Sequence, residues 1–177
     1  MVLPGQPGAQ IVSALAQELA DNLEVEGRKT LELFRALAPE QWEVQVYADG
    51  PGWKVHDLLA HFTEVEGSIL RLVRSVIKGG SGVAQDFSVD RWNAEHTAEL
   101  SPQNRESLLD EFANRRAITV ALVRELSDAD LEKRGRHPAL GLTEVKHMLR
   151  LMYLHLQGHQ RDIRRALKAA TNPSESA

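Results

Sequence analysis

Residues 143–163 read TEVKHMLRLMYLHLQGHQRDI. Met148, Met152, Leu156 and Ile163, continued by Leu167, recur at three- and four-residue spacing, so they form one stripe on a helix. His155 and His159 fall inside that stripe. Four residues apart, their imidazoles lie one turn apart on the same face, and one helix can offer both to a single ion. Thr143 is the predicted N-cap, and the periodicity runs on to about Ala170.

Three more stretches of the same kind precede it. The first runs from about Ala9 to Leu37, with Leu15, Leu19, Leu23, Leu33, Phe34 and Leu37 as its stripe. The second runs from about Lys54 to Lys78, carries Val55, Leu58, Phe62, Ile69 and Val73, and holds His61 at the stripe's border beside Leu58 and Val65. Gly79 to Gly82 should stop it as a flexible turn. The third is expected to start at Ser101-Pro102, an N-cap and first-turn pair, and to reach about Leu126. Asp90 to Leu100 predicts a short helix between the second and third. Asp49-Gly50-Pro51-Gly52 marks a loop, and Ser127 to Gly141 is turn-rich. No segment has the pattern of a strand. The expected fold is all-α, a four-helix bundle with a long connection between helices 2 and 3, so a topology other than simple up-and-down. Residues 1–171 should form one domain with an irregular start, and 172–177 a disordered tail.

Composition narrows the function classes. The chain has 177 residues, 42% of them apolar and 26% charged, and a formal net charge of -4. Basic residues are interleaved with acids and aromatics are 5%, which argues against a nucleic-acid surface or a base-stacking platform. No uninterrupted apolar run approaches the roughly 18 residues of a membrane helix. MVLPGQPGAQ lacks the basic start and apolar run of a signal peptide, so a cytoplasmic location is expected. The chain has no cysteine. Disulfides, thiolate ligands and a cysteine nucleophile are therefore excluded.

Of the seven histidines, helical geometry points His61, His155 and His159 into the bundle. His56 and His147 fall on polar faces, and His96 and His137 in connections. Neutral imidazole ligates zinc, nickel, iron or copper, and three protein ligands leave positions open, as in catalytic zinc sites. The competing reading is a set of hydrogen-bonded core histidines.

WKVHDLLAHFTEVE, residues 53–66, resembles the second-helix motif of the DinB-like superfamily. That group includes the DNA-damage-inducible DinB proteins and the metal-binding domain of mycothiol-dependent maleylpyruvate isomerases. Residues 143–163 are similar to its final helix, in which two histidines four apart precede an isoleucine. Asn93, Ser101 and Glu111-Phe112 are similar but less specific. The resemblance spans nearly the whole chain. It implies a four-helix bundle, often a homodimer, with zinc, nickel or another divalent ion at His61, His155 and His159. It also implies chemistry with a low-molecular-weight thiol, as an isomerase or S-transferase, although many members have no known activity.

Other polar residues interrupt the apolar stripes. Glu66, Glu26 and Arg116 are candidates for a polar pocket, with Arg116 holding an anionic substrate and Glu66 orienting a ligand or moving a proton. The alternative is a structural Glu–Arg pair. Asp162 is a further candidate acceptor for an imidazole N–H. Di-iron chemistry is disfavoured, because Glu144-Val145-Lys146-His147 is the only Glu-x-x-His motif and His147 faces away. The leading expectation is a metal-dependent thiol transferase, isomerase or hydrolase acting on a small molecule. The alternative is a non-catalytic, stress-responsive metal- or ligand-binding bundle.

Overall fold

The computed structural model describes residues 13–49 and 52–171. The expected irregular start, residues 9–12 of the first helix, Gly50-Pro51 and the tail 172–177 lie outside the described residues. Among the described residues six helices appear in chain order: α1 (Ala14–Arg35), α2 (Val55–Ile77), α3 (Val89–Leu100), α4 (Arg105–Arg124), α5 (Asp128–Leu131) and α6 (Val145–Thr171). A hairpin of β1 (Arg134–His137) and β2 (Gly141–Glu144) precedes α6, and Pro39–Glu43 is a 3-10 turn.

The caps explain the starts. The Ser13 hydroxyl accepts the Ala16 N–H and opens α1, and the Asn104 carboxamide accepts the Ser107 N–H and opens α4. The expected cap at Ser101 is thus displaced by three residues. Ser101 instead donates its hydroxyl to Asp57, tying the end of α3 to the start of α2.

The four long helices form a bundle in which α1 packs on α4 and α6, and α2 packs on the same two. Helices α1 and α2 therefore stand diagonally across from each other, so this is not an up-and-down bundle. The path from α2 to α4 runs through residues 78–104 and includes α3, which lies along α2.

Two apolar clusters fill the bundle. One, with Leu23, Val73, Val123 and Met148, holds no buried aromatic ring. The other is built on Phe34, Trp42, Phe62, Phe112 and Ile163, and its Phe62 ring lies 5.6–6.3 Å from the rings of His61, His155 and His159.

The expectation of no strands is corrected by the hairpin. Its register pairs Arg134 with Glu144 and His137 with Gly141, leaving Pro138-Ala139-Leu140 as the loop. Gly141, at φ 66°, takes the left-handed position that closes a three-residue loop. Thr143 lies in β2, so α6 starts without it as a cap. Glycines 79 to 82 are also more than a flexible turn. The Arg136 N–H donates to the Ser81 carbonyl and the Val83 N–H to the Arg136 carbonyl, so this segment is stitched to β1. Gly82 has φ 91°, and a side chain there would collide with the Arg136 backbone.

Candidate metal centre

Helix α2 supplies His61, and α6 supplies His155 and His159. One ring nitrogen from each of the three lies within 4.8 Å of the others. Nε2 of His155 is 2.9 Å from Nε2 of His159 and 3.3 Å from Nε2 of His61. Tetrahedral ligands at about 2.1 Å from zinc stand about 3.4 Å apart, so the spacing is close to that of a ligand set.

Hydrogen bonds to Tyr47 set the tautomer of His159. The Tyr47 hydroxyl is 2.7 Å from Asp162 Oδ2 and 2.7 Å from His159 Nδ1. A carboxylate only accepts, so the tyrosine proton goes to Asp162 and the tyrosine oxygen accepts His159 Nδ1–H. The lone pair of His159 is thereby left on Nε2, facing the other two rings. Burial, and then Asp162, push the Tyr47 phenol well above its ordinary pKa, so it keeps that proton.

Burial, then His155 and His159, hold the His61 pKa well below the usual imidazole value. Burial, then His159 and His137, push His155 down to about 3. Burial also lowers His159, with Asp162 opposing. All three are thus neutral at pH 7. Between three neutral rings, one shared proton cannot satisfy three converging Nε2 positions. Among the described residues, His61 Nδ1 is moreover buried without a partner. A cation at the focus would meet all three lone pairs at once, and the donor set fits a borderline divalent metal.

The loop before α2 hangs two aromatics on the triad. The Val46 and Tyr47 N–H groups both donate to the Trp53 carbonyl, and Val55 N–H to that of Val44, tying residues 44–47 to residues 53–55. Trp53 covers the His61 ring at 4.6 Å, and Tyr47 meets His159 edge-on at 5.7 Å. Periodicity reading misses Tyr47 because it sits on a loop. Asp162 accepts no imidazole N–H directly; it meets the Tyr47 hydroxyl, which in turn stands against His159.

A cavity of about 370 Å³ opens beside the triad and is lined by His61 and His155. Its walls are Val65, Ile69 and Leu72 of α2, Phe87 and Trp92 at α3, and Leu151 of α6. His137, the last residue of β1, also lines it and is 5% exposed. Its Nδ1 accepts the backbone N–H groups of Ala139 and Leu140 at 3.1 and 3.3 Å. The Pro138 and Gly141 that shape this turn were its available signal.

Glu66, Arg116 and Glu26 are buried but do not line the cavity. Arg116 pairs with Glu66 at 2.6 Å and donates to the Leu23 carbonyl at 3.2 Å, while Glu26 takes Lys29 at 2.7 Å. Of the other histidines, His56 meets the Ser101 carbonyl and His96 stacks on Trp92 at 3.6 Å. His147 stands near the Thr143 hydroxyl.

A family model described as the DinB superfamily matches residues 22–163. Comparison with curated protein sequences finds no match. Among solved structures, YfiT from Bacillus subtilis superposes with a TM-score of 0.75 at 14% identity, covering 94% of both chains. It is described as "a probable metal-dependent hydrolase with an unusual four-helix bundle topology". A mycothiol-dependent maleylpyruvate isomerase superposes with a TM-score of 0.69 at 15% identity, covering 84% of this chain and 60% of that one. At such identities the likeness is one of fold.

Proposed function

The chain belongs to the DinB superfamily, and on that premise we propose that it binds one divalent metal ion through His61, His155 and His159 and uses it as an enzyme. The observation that carries the reading is the convergence of three neutral Nε2 atoms at the wall of a cavity. Zinc or nickel suits three imidazoles best, and iron also fits the set. A divalent ion there would supply Lewis acidity to a substrate oxygen and acidify a thiol or water that reaches it.

The chain's own residues do the rest. Tyr47 and Asp162 keep the His159 proton on Nδ1. Trp53 shields His61 from water. The cavity admits a small molecule and seats it against His61 and His155. With no cysteine in the chain, any sulfur nucleophile comes from a low-molecular-weight thiol. Thiol S-transfer, isomerisation and hydrolysis are the reaction classes this site supports, and the two solved structures are described, for their own proteins, as a probable metal-dependent hydrolase and a mycothiol-dependent isomerase. A cytoplasmic homodimer acting on a small molecule completes the reading. No helix among the described residues is long and apolar enough to cross a membrane. The cavity favours an enzyme over a non-catalytic metal- or ligand-binding stress protein, for which a sealed site would suffice.

Elemental analysis of untagged wild type beside His159→Ala is the test. About one equivalent of zinc, nickel or iron in the wild type, lost in the variant, is expected. No metal in the wild type, even after loading and dialysis, overturns the reading. A positive result leads to screening glutathione, bacillithiol and mycothiol against electrophiles, with metal-depleted protein as control.

A further inference from the structure

We propose that His137 is a substrate-binding residue: its Nε2–H seats the carbonyl oxygen of a substrate whose buried portion is uncharged and apolar. This rests on the reading that the cavity beside the triad is the active site.

The tautomer is set by the hairpin. Two backbone N–H groups, from Ala139 and Leu140, point at Nδ1. That nitrogen must therefore carry the lone pair, and the single proton of the neutral ring sits on Nε2. Burial pushes the His137 pKa down to about 4, so the ring stays neutral at pH 7 and presents one donor and no charge. Both hydrogen bonds that His137 makes among the described residues are at Nδ1, which leaves Nε2 without a partner there. The ring is nonetheless 5% exposed and lines the cavity. A fixed donor on a residue that lines a largely apolar cavity calls for an acceptor oxygen on whatever fills that cavity.

The rest of the cavity describes the body attached to that oxygen. Phe87 and Trp92, with ring centroids 5.4 Å apart, form an aromatic wall, and Val65, Ile69 and Leu72 face it from α2. The buried acid on the wall is Glu64, 6% exposed, which accepts the Ser68 hydroxyl. An anionic group entering here would meet that carboxylate. Arg71, the lining cation, has a side chain 65% exposed, and its guanidinium is already engaged, donating to the Ser68 hydroxyl at 2.8 Å and standing 3.9 Å from the Glu64 carboxylate. An ester, thioester, amide or ketone with an aromatic-sized apolar body fits a cavity of about 370 Å³. The oxygen would then lie between the His137 donor and the triad.

The test is an NMR titration with acetophenone and with ethylbenzene, which has a similar body and no acceptor. It uses wild type and His137→Asn, each with zinc loaded and with chelator. The asparagine carbonyl stands where Nδ1 stood and still accepts the turn's N–H groups, whereas its amide is too short to reach the Nε2 position. Wild type is expected to prefer acetophenone by about three- to tenfold, the range of one neutral hydrogen bond. Its His137 Nε2–H resonance should move with acetophenone only. The preference should collapse in His137→Asn while zinc content and melting temperature hold. A preference intact in the variant, or a resonance unmoved by acetophenone, overturns the proposal. If the variant fails to fold, the wild-type resonance decides. Failure to take up zinc would sink the metal reading separately, because the preference is read in both forms.

Discussion

A single proton on Tyr47 decides the state of a candidate ligand. Its hydroxyl sits 2.7 Å from both Asp162 and His159 Nδ1. Because Asp162 takes that proton, His159 must donate, and its Nε2 is held ready for a cation. Tyr47→Phe removes the acceptor for Nδ1–H and frees the ring to change tautomer and orientation. Loss of such a partner typically costs 10–100-fold in metal affinity. Zinc competition against a chromophoric chelator should therefore give a dissociation constant about 10–100-fold higher in Tyr47→Phe. An unchanged constant would mean that the hydroxyl does not tune the ligand. The three histidines were legible in the sequence because helical spacing places side chains on faces. Tyr47 was not, because no period governs a loop; its position depends on the bonds that tie residues 44–47 to residues 53–55. His137 was hidden for the same reason, with its role set by two backbone N–H groups rather than by spacing.

Between elements, the buried charges join helices. Arg116 of α4 meets Glu66 of α2 at 2.6 Å, with side chains 6% and 2% exposed. The arginine reaches there across Gly27 of α1, where a Cβ would stand 2.7 Å from Arg116 Cγ. Arg116→Ala would leave Glu66 buried and uncompensated, at a cost of about 3–5 kcal/mol. Urea unfolding should register that loss, while metal content stays at wild-type level because neither residue touches the triad. A variant of wild-type stability that lost anionic-substrate binding would instead restore Arg116 to the substrate site. The long helices were readable because an apolar stripe of period 3.6 runs through each. The hairpin was not, since RGRH and GLTE carry no apolar alternation. These strands are held by docking: Gly135 abuts Val76 of α2, and Arg136 bonds the 81–83 segment. Pro138 and Gly141 were the local trace of that turn. Helix starts at Ser101 and Thr143 were misplaced because a good capping residue caps only where the chain leaves it free. Ser101 is engaged by Asp57, and Thr143 by the hairpin.

At the scale of the whole molecule, the triad ties two ends of the chain's path together. His61 and His155 are 94 positions apart, yet their Nε2 atoms stand 3.3 Å from each other at the α2–α6 contact. A cation bound there binds the folded state alone, because no unfolded chain gathers those imidazoles. It therefore stabilises by mass action, about 4.1 kcal/mol when free metal is 1,000 times the dissociation constant. For a chain of this size each kcal/mol moves the melting temperature by about 2–4 °C, so chelation should lower it by roughly 8–16 °C. His159→Ala should melt at the same temperature with and without chelator, since the metal-linked stabilisation is already lost. The comparison separates two accounts of the histidines. If they are core residues satisfied by one another, chelator leaves the wild type unmoved and His159→Ala costs stability in both conditions. If they are ligands, the wild type alone responds, and adding zinc back restores its melting temperature in a concentration-dependent way.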